Sequence, residues 1–157
     1  MSEAVPAFAH SDSELLDRFR ASANQPNCSQ LLGFEMLEID QARRRVIMRF
    51  VGRPDFTNPM GNIQGGMLSA MLDDAMSVAG LVASGMQAAM PTLEMKISFL
   101  RPAAPGPLCA IGQVVKLGKS IAFLEGELFD AQERLVAKAS ATAQPTLISS
   151  ILAKGKG

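Results

Sequence analysis

From Phe56 to Leu93 the chain carries only two charged side chains, Asp73 and Asp74, and both fall inside Met67–Ala83, a run that is otherwise small, apolar or serine. The run has no proline and is too long for a strand, so it predicts a buried helix. Burying an ionised carboxylate costs several kcal/mol unless it is paired or hydrogen-bonded. At least one of these acids therefore needs a partner, access to water or a chemical task. Neighbours on a helix point about 100° apart, so the two acids lie on different faces. Steps of four through Asp73 join Ser69 and Ser77 in a polar stripe, whereas steps through Asp74 join Ala70 and Val78. Two readings stand for Asp73, a catalytic carboxylate or a hydrogen-bonded packing residue, and the stripe favours the first. For Asp74 packing is the preferred reading. Gly65 and Gly66 lie just before the helix, where unpaired backbone N–H groups favour an anion or a polarised carbonyl oxygen, and the Asp73 face points back toward them, so carboxylate and donor are expected to share one surface.

The segments around this helix alternate. A capping box at Ser11-x-x-Glu14 predicts a short amphipathic helix over residues 11–22. Phe34–Ile39 and Arg45–Val51 read as a hairpin around Asp40–Arg44, and Gly52–Gly66 as a loop rich in Gly, Pro and Asn. Four further strands are expected at Leu93–Leu100, Leu108–Leu117, Ile121–Asp130 and Leu135–Thr146. The turns between them are too short for parallel crossovers, so the fold class is α+β, an antiparallel sheet wrapped around one apolar helix. Residues 1–29 read as an N-terminal helix and lead-in, 30–146 as a single domain and 147–157 as a C-terminal tail, frayed from Lys154 onward.

Fifteen basic and fifteen acidic side chains cancel, which leaves no global field to draw nucleic acid or an anionic membrane. The two cysteines, Cys28 and Cys109, are far apart and read as reduced thiols of a cytoplasmic protein. Neither a signal segment nor a run of roughly 18 uninterrupted apolar residues is expected to place the chain in a membrane. Ten methionines suggest a Met-rich core, and Met67, Met71 and Met76 with Phe56 and Phe99 are candidates to line an apolar pocket.

The stretch Asn58-Pro-Met-Gly61-Asn-Ile-Gln64-Gly65-Gly66, followed by Asp73 eight residues after Gly65, resembles the signature of the phenylacetic-acid-pathway type of acyl-CoA thioesterase. The resemblance extends through Leu31-Leu-Gly33-Phe, Ser98-Phe-Leu-Arg-Pro102 and Gly118-Lys-Ser-Ile-Ala-Phe123, over residues 30 to 146. It implies a hotdog fold that acts as a homodimer or homotetramer with its pocket at the subunit interface. It also implies hydrolysis of an acyl-CoA without metal or bound cofactor, coenzyme A being part of the substrate. By the same resemblance the Gly65 amide holds the thioester carbonyl, Asp73 is general base or nucleophile, and Asn58 places water or substrate. Gly66, Ser77 and Thr92 match further substrate-side positions, although the Ser77 hydroxyl could equally bond back to its own helix. Gln64 departs from the pattern, standing where the family has histidine. It can donate and accept hydrogen bonds but cannot titrate near neutral pH.

Other chemistries fit less well. The one histidine, His10, lies near the start, which disfavours a dehydratase, and a Ser-His-Asp hydrolase lacks both its histidine and its G-x-S-x-G elbow. No metal-ligand spacing is present. The Gly112–Ser120 segment has one residue too many for a P-loop and falls on a strand turn. Arg101, Lys116 and Lys119 are candidates to meet the phosphates of coenzyme A, or are solvated turn charges. The remaining rival is a non-catalytic acyl-CoA-binding module of the same fold.

Overall fold

The computed structural model describes residues 9–23 and 25–154. Helix α1 (Asp12–Ala21) opens on the expected capping box: the Glu14 amide donates to Ser11 Oγ at 3.3 Å and the Ser11 amide to Glu14 Oε2 at 2.7 Å. A short α2 (Asn27–Leu31) leads into strands β1 (Glu35–Asp40) and β2 (Arg45–Gly52), and a 3-10 turn at Pro54–Phe56 follows. The long helix α3 (Gly65–Ala83) comes next, then β3 (Ala88–Ala89), β4 (Thr92–Phe99), β5 (Gly106–Leu117), β6 (Ala122–Phe129), β7 (Leu135–Ala143), β8 (Thr146–Leu147) and α4 (Ile148–Lys154). The six long strands form one antiparallel sheet in the order β1-β2-β5-β6-β7-β4, with β3 and β8 paired separately. The hotdog architecture expected from the resemblance is the one present. The sequence reading placed α3 two residues late and missed α2, the β3–β8 pair and α4, which falls in the C-terminal tail; the frayed stretch expected from Lys154 lies, past that residue, outside the described residues.

Alternation along the strands turns one sheet face inward: Val46, Met48 and Phe50 from β2, Leu108 and Ala110 from β5, Leu124 and Leu128 from β6 are all buried. α3 lies on that face. It presses closest where Gly112 and Gly126 sit opposite each other on β5 and β6. A β-carbon at Gly112 would stand 2.1 Å from the Ala75 carbonyl oxygen, and one at Gly126 would stand 3.1 Å from Leu72 Cδ2. The paired glycines are the seat of the helix.

α3 is nineteen residues long with a mean hydropathy of 1.3, enough by length and composition to cross a membrane. Its apolarity serves the sheet instead: Leu68, Met71, Leu72, Ala75, Met76, Ala79 and Val82 are buried against it. The helix is not buried all round, however. Ser69, Ala70, Asp73, Asp74, Ser77 and Val78 face away from the sheet and are only half-buried. Met71 and Met76, offered by the sequence as pocket lining, are fully buried core residues, as is Phe56. Periodicity marks an apolar face, but cannot say whether a sheet or a ligand covers it.

Candidate active site

The Asn58–Gln64 loop sets the start of α3. Asn58 Oδ1 accepts from the Met60 amide at 3.0 Å and the Asn62 amide at 3.2 Å, and the Asn58 carbonyl accepts from the Gly61 amide at 2.9 Å. The loop is tied to the following chain by the Ile63 amide, which donates to the Ala103 carbonyl at 2.8 Å. Gln64 is the N-cap by its backbone: its carbonyl accepts from Met67 and Leu68, while its exposed side chain makes no capping bond. The first helical amides, those of Gly65 and Gly66, have no hydrogen-bond partner within the described residues. They are donors left over by the helix, reinforced by its dipole.

Gly65, but not Gly66, lines a cavity of about 370 Å³ together with Asn58, Met60, Leu68, Phe99 and Arg101, among others. The structure brings Asn58 and Gly65 together there, as expected. With its oxygen engaged in the turn, Asn58 has its Nδ2 group left to offer a substrate. Phe99 was expected as pocket lining and sits against Gly65, where a β-carbon would stand 3.1 Å from its Cζ. Of the three cations weighed in the sequence only Arg101 lies here, its Nη1 donating to the Leu135 carbonyl at 2.8 Å. Lys116 lines a larger groove of about 500 Å³ on the outer face of the sheet. Lys119 lines another cavity beyond the end of α3. Size alone would single out the outer groove, but it contains none of the loop or helix-start groups.

Asp73 stands elsewhere. It lies eight residues along α3 from Gly65, about 12 Å at 1.5 Å per residue, and does not line the Gly65 cavity. The expectation that helix start and carboxylate share one surface within one chain is therefore corrected. Beside Asp73 is Thr92, at the start of β4, whose Oγ1 donates to Asp73 Oδ1 at 2.6 Å. One carboxylate oxygen is thus held, and the other is left to act as an acceptor. Ser69 Oγ donates to the Gly65 carbonyl at 2.7 Å, so that member of the stripe back-bonds to its helix. The Ser77 hydroxyl does not bond back to its own helix: it points at the Met90 carbonyl, 3.5 Å away, on the chain entering β4.

Asp74 behaves as a packing residue under strain. Burial pushes its carboxyl above the usual carboxylate range; the Ser29 hydroxyl works against that rise and the neighbouring Asp73 charge adds to it. Its Oδ2 is buried without a hydrogen-bond partner. Ser29 belongs to α2, an element with no strong sequence signal, so sequence reasoning could not find this contact. Among the described residues no three His, Cys, Asp or Glu side chains cluster as a metal ion would require.

A six-stranded antiparallel sheet on one long helix defines a hotdog-fold protein, and its unpaired helix-start amides and the hydrogen-bonded Asp73 two turns on are the polar groups this helix leaves available. The thioesterase superfamily model matches residues 60–137. An esterase of Saccharolobus solfataricus is 32% identical over 103 residues, which make up 64% of this chain and 71% of that one. A Ralstonia eutropha thioesterase described as a phenylacetic acid degradation-related protein superposes with a TM-score of 0.73 at 32% identity, covering 82% of this chain and 98% of that one. A Streptococcus mutans protein bound to acetyl CoA shares the fold, with a TM-score of 0.63 at 23% identity, over 73% of this chain and 89% of that one. The chain belongs to the thioesterase superfamily, and within it resembles the phenylacetic-acid-degradation type.

Proposed function

We propose that this protein is a cytoplasmic acyl-CoA thioesterase whose site is assembled between two copies of the chain. The observation that carries the reading is the pair of unsatisfied amides at Gly65 and Gly66 on the same helix as a threonine-held Asp73. The Gly65 N–H receives the thioester carbonyl oxygen. Asp73 takes a proton from water as that water attacks the carbonyl carbon, and the developing oxyanion is held by the Gly65 amide. Collapse of the tetrahedral intermediate breaks the C–S bond, leaving the free acid, and the proton on Asp73 returns to the departing thiolate to give coenzyme A. Direct attack by Asp73 would use the same carboxylate through an acyl anhydride, which water then opens.

A thioester carbon must be within about 3–3.5 Å of its attacker. Gly65 and Asp73 of one chain are much too far apart to act on one carbonyl group, so Asp73 meets the Gly65 amide of a second copy. Thr92 fixes the direction of the carboxylate. Gln64 replaces a titratable histidine with an amide that can only position a group, so proton transfer falls to Asp73 alone. Acetyl coenzyme A in the Streptococcus mutans protein supports coenzyme A thioesters as the substrate class.

The test is thiol release from aryl and aliphatic acyl-CoAs by the protein and its Asp73→Asn variant. The expected result is turnover by the parent and a loss of at least about a hundredfold in the variant. Binding of an acyl-CoA without thiol release would instead assign the chain as a binding module, the role that Gln64 favours.

A further inference from the structure

Helix α3 carries a buried glycine in its interior, Gly80, where alanine would favour the helix. Ala79 and Ala83 are buried on the same helix with their methyl groups, so a need for small residues does not by itself account for it. The reason is Met90, on the chain entering β4. A β-carbon at Gly80 would stand 2.4 Å from Met90 Cγ and 3.0 Å from its Sδ. The Met90 side chain, 4% exposed, lies in the notch that the missing β-carbon leaves. Asp73, Ser77 and Gly80 follow one another in steps of four and three, so they form one stripe along α3. That stripe meets the entering chain at three points. Gly80 takes the Met90 side chain, the Ser77 hydroxyl lies 3.5 Å from the Met90 carbonyl, and Asp73 Oδ1 accepts from Thr92 Oγ1 at 2.6 Å.

We infer that Met90, seated on Gly80, is a positioning residue for Asp73: it sets where Thr92 stands, and through Thr92 the direction of the carboxylate. The link from Met90 to Thr92 is stiff. Pro91 lies between them with its φ fixed by the ring, and a residue before proline is itself held to extended backbone. The Pro91 carbonyl accepts from the Gln144 amide at 3.0 Å, and β3, just before Met90, is paired with β8. Beyond Thr92 the register of β4 on β7 shifts before Glu94, so the regular ladder further along does not fix the hydroxyl. A displacement at Met90 is therefore passed on to Thr92 rather than absorbed before it. The effect on catalysis rests on the function proposed above; the hold of Met90 on Thr92 does not.

Gly80→Ala is the direct test, because its one methyl group pushes on Met90 while improving the helix elsewhere. A crystal structure of the variant is expected to show Thr92 Oγ1 out of hydrogen-bond reach of Asp73. In thiol-release assays on acyl-CoAs, kcat per folded molecule is expected to fall roughly tenfold or more with KM little changed, since a misdirected base slows the chemistry and spares binding. Adding Met90→Ala removes the Cγ that the new methyl meets, and the double variant is expected to bring Thr92 back to Asp73 and to recover most of the lost kcat. Met90→Ala alone empties the notch without adding bulk to α3 and is expected to lower kcat several-fold. An unmoved Thr92 in Gly80→Ala, or unchanged kcat in the folded single variants, would overturn the inference. A parent protein that releases no thiol would refute the thioesterase reading, and the position of Thr92 in the Gly80→Ala crystals would still decide whether Met90 sets it.

Discussion

The two edges of the sheet are treated in opposite ways. At β1, helix α1 lies against the strand: Arg20 Nε donates to the Met36 carbonyl at 3.4 Å, and Asp12 Oδ1 accepts from the Gln41 amide at 3.2 Å and from Gln41 Nε2 at 2.8 Å. A bulge between Met36 and Glu38 further spoils that edge as a template. At β4 no element of the described residues pairs with the outer edge, Leu93 and Phe99 stand exposed, and Glu94 and Lys96 lack partners among the described residues. Exposed edges invite association, and this chain blocks one in cis while leaving the other bare beside Gly65 and Asp73. On the proposed reading, this is how Asp73 and Gly65 would lie on one helix and yet serve different sites.

The sharpest break on the β4 side is Gly65→Pro. Proline is well tolerated at the first helical position, and Gln64 before it already has the extended backbone that proline demands, with φ −58° and ψ 136°. The half-exposed Phe99 ring can swing away from the added carbons. The variant is expected to fold and dimerise yet lose about a hundredfold or more in kcat, because one oxyanion donor is gone. Retained turnover in steady-state assays would remove Gly65 from the chemistry.

On the β1 side the same kind of edit should touch stability alone. Asp12→Ala takes the acceptor from the backbone N–H of buried Gln41 and one of two acceptors from its Nε2, which keeps the His10 carbonyl, and is expected to lower unfolding free energy by about 1–2 kcal/mol in urea titrations while dimerisation and turnover per folded molecule stay as they were. A change in association would mean that α1 takes part in the interface.

The smallest effect expected comes from Asp74. Its carboxyl is raised by burial, so the folded protein holds this proton more tightly than the unfolded chain. Its contribution favours folding at low pH and is lost as pH climbs from the ordinary aspartate range through the raised folded value. Asp74→Asn should flatten that part of the stability–pH profile, stabilise the protein near neutrality and leave thiol release unchanged. A steeper profile would show that the ionised form is the one the fold prefers.

Much of this was legible in the residues. The capping box, the alternating strands and the two lone acids on an apolar run predicted α1, the sheet and α3 because each depends on neighbours within a few positions. What escaped depends on contacts across the chain. Nothing local reveals that β4 sits at an edge, that Phe99 lies on Gly65, or that Ser77 turns to Met90 rather than to its own helix. Likewise Asp73 and Gly65 read as one surface because sequence spacing gives their common helix, whereas their separation of about 12 Å along the helix axis matters only once a substrate carbonyl has to reach both.

The central claim, a thioester site shared by two chains, is tested most directly by mixing two variants that are each expected to be inactive, Asp73→Asn and Gly65→Pro, under conditions that exchange subunits. Half of the dimers then hold one copy of each, and each of these carries one intact site, so thiol release should return to about a quarter of the parent level by two-fold symmetry. No recovery in a mixture shown to contain the mixed dimer would place Gly65 and Asp73 in separate duties and contradict the shared site.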